Sequence, residues 1–128
     1  MSLQEKAQQP VLTSEQINDL IVDAIQDIKG KHIVKIDLRH LDEAPTNFFV
    51  ICEGDSNTQV QAISNNVYKR LKEEANSLPF HLEGQQHAQW ILIDYFDVVI
   101  HVFYKEARQF YQLEDLWSDG VFTEYEDL

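Results

Sequence analysis

Two stretches of this chain, Asn47–Cys52 (NFFVIC) and Asp97–Tyr104 (DVVIHVFY), are apolar at successive positions rather than at alternate ones. Neighbouring side chains of a β-strand point to opposite faces, so a strand with one wet face has to alternate. These two do not alternate. Each therefore reads as an interior strand of a sheet that is covered on both faces. A third apolar run, Gln89–Asp94, lies just before the second. It is joined to it by Asp94-Tyr95-Phe96-Asp97, a link so short that the two strands must pair antiparallel.

The remaining segments fit around that sheet. Thr13 and Gln16 form a capping box, with Leu12 and Ile17 as its staple. Ile17, Leu20, Ile21, Ala24, Ile25 and Ile28 then follow at helical spacing, up to Gly30 as the C′ residue. His32–Leu38 reads as a strand and residues 39–46 as a loop around Pro45. After Gly54, a second box at Ser56 and Gln59 starts a helix with the stripe Val60, Ile63, Val67 and Leu71. PFHLEG suggests a short edge strand closed by Gly84, and KEARQFYQLEDLW a final helix whose apolar side carries Ala107, Phe110, Leu113 and Trp117. The predicted architecture is α/β with α+β character: one mixed sheet of about five strands, helices on both faces, order α-β-β-α-β-β-β-α. One domain spans 13–118, between a mobile arm at 1–12 and an acidic tail at 119–128.

Composition narrows the function. Ten Lys and Arg face 22 Asp and Glu, a formal net charge of −12. Docking on nucleic acid or anionic lipid draws on cations, so direct nucleic-acid binding is disfavoured. A basic protein partner suits the charge better. No apolar run approaches the roughly 20 residues of a membrane span, MSLQEKAQQP has no apolar leader core, and a single cysteine excludes an internal disulfide and fits a reducing cytosol.

Chemistry finds little footing. The five histidines show no metal-ligand spacing, and Cys52 lies in phase with Phe48 and Val50 as a packing residue. His101 reads as a hydrogen-bonded core histidine. Asp94 and Asp97 are a candidate Mg²⁺ pair, but aspartates are also common turn formers, and no third acid stands at a motif spacing. The rings beside them, Trp90, Tyr95 and Phe96, fit an interface centre flanked by charges; equally, Phe110, Tyr111 and Trp117 of the last helix would cover them. The two readings agree if one ring packs and the other stays outside.

The motifs NFFVICEGDSNTQVQAI, HLEG…W…DYFDVVIHVF and R.FY.LEDLW, in this order and spacing from about Ile17 to Ser118, resemble the ribosomal silencing factor family, also called Iojap or YbeB-like. The resemblance implies a nucleotidyltransferase-type fold without its catalytic residues, no enzymatic activity and no cofactor. It implies docking on the large ribosomal subunit through that subunit's ribosomal protein fourteen, steric obstruction of small-subunit joining, a cytoplasmic location, and homodimers when free. On this chain it implies a contact surface of Glu83, Trp90, Asp94, Tyr95, Phe96 and Asp97, with His101, Arg108, Tyr111 and Trp117 supporting it. Tyr95→Ala is then expected to weaken docking more than Glu83→Ala. The chain departs from the family pattern at Asn47, where aspartate is usual, and at Phe96, where glycine is usual, so the resemblance implies another turn type at this tip.

Overall fold

In the computed structural model, which describes residues 11–128, the doubly apolar strands are neighbours at the centre of the sheet. The elements are α1 (Ser14–Asp27), β1 (Lys31–Asp37), β2 (Phe48–Gly54), α2 (Asn57–Ala75), β3 (His81–Glu83), β4 (Trp90–Asp94), β5 (Val98–Tyr104), α3 (Lys105–Tyr111), α4 (Leu113–Leu116) and β6 (Val121–Glu124). The strand order is β3-β4-β5-β2-β1-β6. β2 and β5 run parallel, in register from Phe48 opposite Val98 to Gly54 opposite Tyr104. Every other neighbouring pair is antiparallel, including the β4–β5 hairpin.

Two cores form, one on each side of the sheet. On the first face α1 and α2 bury Ile21, Ile25, Ile63, Val67 and Leu71 against Phe48, Val50, Cys52, Ile91, Ile93, Ile100 and Val102. On the second, Ala107 and Leu113 of α3 and α4 pack on Ile36, Leu38, Phe49, Ile51, Val99 and Phe103. Adjacent residues such as Phe48 and Phe49 enter opposite cores, and this is why β2 and β5 cannot alternate.

The capping box at Thr13 is present in both directions: Gln16 N–H donates to Thr13 Oγ1 (3.1 Å) and Thr13 N–H to Gln16 Oε1 (2.9 Å). At the other end of α1 the left-handed residue is Lys29 (φ 61°), not Gly30. Gly30 N–H donates to Ile25 O and Lys29 N–H to Gln26 O, a Schellman ending. Gly30 is needed instead for close approach, since a Cβ there would lie 2.3 Å from Ile25 Cγ2. At the second box Ser56 caps Gln59 N–H, but the Gln59 side chain turns to Asp55 N–H and to the carbonyls of Ile28 and Lys29, tying α2 to the end of α1.

The C-terminal third departs from expectation. The predicted last helix breaks at Gln112, whose left-handed φ of 49° separates α3 from α4. The break turns Leu113 and Trp117 onto the sheet and leaves Phe110 in solvent. Residues 121–124, expected in an acidic tail, add a sixth strand beside β1. Beyond it Tyr125 N–H donates to Ile33 O, and Asp127 Oδ1 accepts from His32 N–H (2.9 Å). Of the expected arm at 1–12, residues 1–10 lie outside the described part.

Candidate functional site

On the second face α3 packs against β5 and β2. The outer strands β3 and β4 show the side chains that alternation sends there. Ile91 and Ile93 go to the first core, so Trp90, Leu92 and Asp94 face the other way, opposite Phe103, His101 and Val99 on β5 and beside Glu83 and His81 on β3. Trp90 and Leu92 stay half-buried, whereas Glu83 and His81 are exposed and form an ion pair with each other when His81 is protonated.

A row of rings crosses this face. Tyr111 lies 4.8 Å from Trp90, Trp90 4.9 Å from Phe103, His101 4.7 Å from Phe49, and Phe49 5.7 Å from Trp117, centroid to centroid. Trp90 Nε1–H donates to His101 Nδ1 at 3.0 Å. His101 is only 4% exposed, and burial depresses its pKa to about 4. It is the neutral, hydrogen-bonded core histidine expected, and it fixes the Trp90 ring from below. Arg108, also buried, holds the far end: its guanidinium donates to His32 O (2.7 Å), Glu53 (3.2 Å) and Glu114 (3.1 Å), joining α3 and α4 to the sheet. His101 and Arg108 thus lie buried beneath the face, Trp117 packs half-buried against its core, and Tyr111 is half exposed beside Trp90.

The hairpin tip separates the rings grouped together by sequence. Tyr95 is 8% exposed and lies in the first core, on the opposite side from Trp90. Burial pushes its phenol pKa upward, and its hydroxyl has no hydrogen-bond partner among the described residues. The expectation that Tyr95 lies on an exposed contact surface is therefore corrected: its ring packs in the core, and loss of binding in Tyr95→Ala would report a damaged core. Phe96 is 70% exposed. It takes φ +77° inside a three-residue turn closed by Asp97 N–H donating to Tyr95 O (3.0 Å). A phenylalanine thus occupies the left-handed backbone that glycine adopts without strain.

The two aspartates have separate roles. Asp94 Oδ1 accepts from Phe96 N–H (2.8 Å), while the Asp97 carboxylate is exposed and its carbonyl accepts from Phe48 N–H (3.1 Å). Among the described residues no three His, Cys, Asp or Glu side chains gather to hold a metal ion. The Cys52 thiol, buried and pushed up to about 12, stays protonated at neutral pH and packs as a small apolar group. No described helix is long and apolar enough to cross a membrane.

Motif reading passed over one residue of this face and two near the hairpin tip. Leu92 is the middle of its outward row, and strict alternation along WILID would have found it. Phe80 stands in solvent just before β3 and meets Phe96, and the buried Thr46 donates its hydroxyl to Phe96 O (2.7 Å). Nothing local in the sequence joins positions so far apart.

Residues 11–128 match the family model described as ribosomal silencing factor during starvation. The chain is 37% identical over 115 residues to the ribosomal silencing factor RsfS of Halalkalibacterium halodurans, covering 90% of this chain and 97% of that one. It is 35% identical over 77 residues to the mouse protein named mitochondrial assembly of ribosomal large subunit protein 1, covering 57% of this chain and 33% of the mouse protein. A crystal structure of a Chromobacterium violaceum protein superimposes with a TM-score of 0.79 at 36% identity, covering 84% of this chain and 88% of that one. With a match that runs through the last strand as well as the central hairpin, the chain belongs to the ribosomal silencing factor family.

Proposed function

We propose that this chain is a cytoplasmic translational repressor. It docks on the large ribosomal subunit through that subunit's ribosomal protein fourteen, and its bulk keeps the small subunit from joining. The observation that carries the reading is the outward row of β4: Trp90 and Leu92 half-exposed, edged by Asp94 and by Glu83 of β3. An apolar centre with a charged rim is the anatomy of a protein interface. A net charge of −12 favours a basic partner over nucleic acid or an anionic membrane. In this reading Trp90 and Leu92 form the centre, Glu83, Asp94 and Asp97 meet basic side chains, and Phe96 lies at the margin. When free, the chain covers the same apolar face with a second copy.

The experiment mixes purified chain with separated subunits and follows their association into full ribosomes. Association should fall as the chain is added; undiminished association at saturation defeats the mechanism. The name of the mouse relative favours a second reading, escort of the large subunit during assembly. Cosedimentation with immature rather than mature particles would select it. We infer that no catalysis accompanies either role, and calorimetry with nucleotide and Mg²⁺ should give no coupled binding heat.

A further inference from the structure

Where β4 turns into β5, two phenylalanines stand in solvent. Phe80 is 77% exposed, and its ring centroid lies 5.9 Å from that of Phe96. Neither ring serves a core. At φ +77° a residue with a Cβ carries backbone strain that glycine would not. The strained residue is nevertheless held firmly. Its N–H is bound by Asp94, its carbonyl by Thr46, and Phe80 N–H donates to Asp94 O at 2.8 Å. A backbone held this firmly, at a cost in strain, so that a ring stands in solvent where neither the turn nor the core requires it, is preorganised for contact.

The charge around the pair says what it meets. Asp94 and Asp97 bracket Phe96 in sequence, Asp97 with an exposed carboxylate, on a chain with a large negative excess. Ring faces beside carboxylates suit an ammonium or guanidinium group, which gains a cation–π contact and an ion pair together. We propose that Phe80 and Phe96 form a second anchor that takes an arginine or lysine side chain of a basic protein surface. The proposal rests on the docking reading above and extends the contact from the Trp90–Leu92 row to the end of the sheet.

The test compares the full chain with Phe80→Ser/Phe96→Gly, Asp97→Asn and Leu92→Asp, measuring affinity for purified large subunits and for isolated ribosomal protein fourteen. Unchanged thermal unfolding would establish that each variant is folded. The double variant should bind about ten- to thirty-fold more weakly. Asp97→Asn should lose less and show a flatter dependence on salt. Leu92→Asp probes the docking reading itself. If it abolishes binding while the double variant binds like the parent, the anchor is refuted and the docking face survives. A parent chain with no affinity for either target overturns both. A double variant that loses only self-association, with ribosomal affinity intact, assigns the pair to a second copy and also overturns the proposal.

Discussion

Phe96 and Tyr95 are adjacent in the chain and opposite in physics. Phe96→Gly should leave stability within about 1 kcal/mol, because relief of left-handed strain offsets the extra freedom of glycine in the unfolded chain. Phe96→Val, β-branched at the same φ, should cost about 1–2 kcal/mol in urea unfolding; equal stability of the two variants would refute the strain. Tyr95→Phe should be neutral or stabilising by about 1 kcal/mol, since it removes a buried hydroxyl that has no partner among the described residues. His101 gives the molecule an acid sensitivity. Its folded pKa of about 4 lies below the ordinary value of 6.5, so the unfolded chain takes up the proton first. The stability it contributes is complete above pH 6.5 and is lost as pH falls toward 4, on the order of 3 kcal/mol. His101→Asn, which keeps an acceptor for Trp90, should flatten the urea midpoint across that window; an unchanged slope would place the sensitivity elsewhere.

Two elements depend on contacts far from their own sequence. Gly84 closes β3 at φ +87°, and a Cβ there would lie 2.1 Å from Trp90 O. Gly84→Ala should therefore destabilise by about 2 kcal/mol or more and disturb the near-ultraviolet signal of Trp90. β6 covers the edge of β1, and Asp127 beyond it satisfies the amide of His32, which sits at φ 50° in the irregular pairing between Lys31 and Val34. Deleting residues 121–128 should expose that edge, lower the melting temperature and promote aggregation in sedimentation runs. A truncated chain that melts with the parent and stays monodisperse would show β6 to be dispensable. Arg108 belongs to the same corner. Arg108→Ala strands Glu53 and Glu114 and should cost about 3 kcal/mol, as a broken buried pair does.

At the scale of the molecule, one face of the sheet is sealed by two long helices and the other only in part by two short ones. The asymmetry leaves an apolar row open on a chain of net charge −12, so approach to a basic partner should be steered over long range. The association rate with large subunits, followed by stopped flow, should fall steeply as salt rises, while the dissociation rate changes little. A rate indifferent to salt would argue that the negative excess serves solubility alone.

The sequence by itself determined the central layer. Unbroken apolar runs at NFFVIC and DVVIHVF are incompatible with a one-sided sheet, and Thr13–Gln16 and Ser56–Gln59 are local enough to mark two helix starts. It also determined that His101 packs, because that position is flanked by apolar residues on both sides of the strand. Tyr95 continues the alternation of Ile91 and Ile93 into the first core, so strand periodicity reaches it; only the tertiary structure decided where Phe96 points, because it sits in a turn at positive φ. Tertiary contact also fixed the break at Gln112, the pairing of β6 with β1, and the meeting of Phe80, Phe96 and Thr46. Those outcomes depend on partners distant in the chain, whose influence no local periodicity carries.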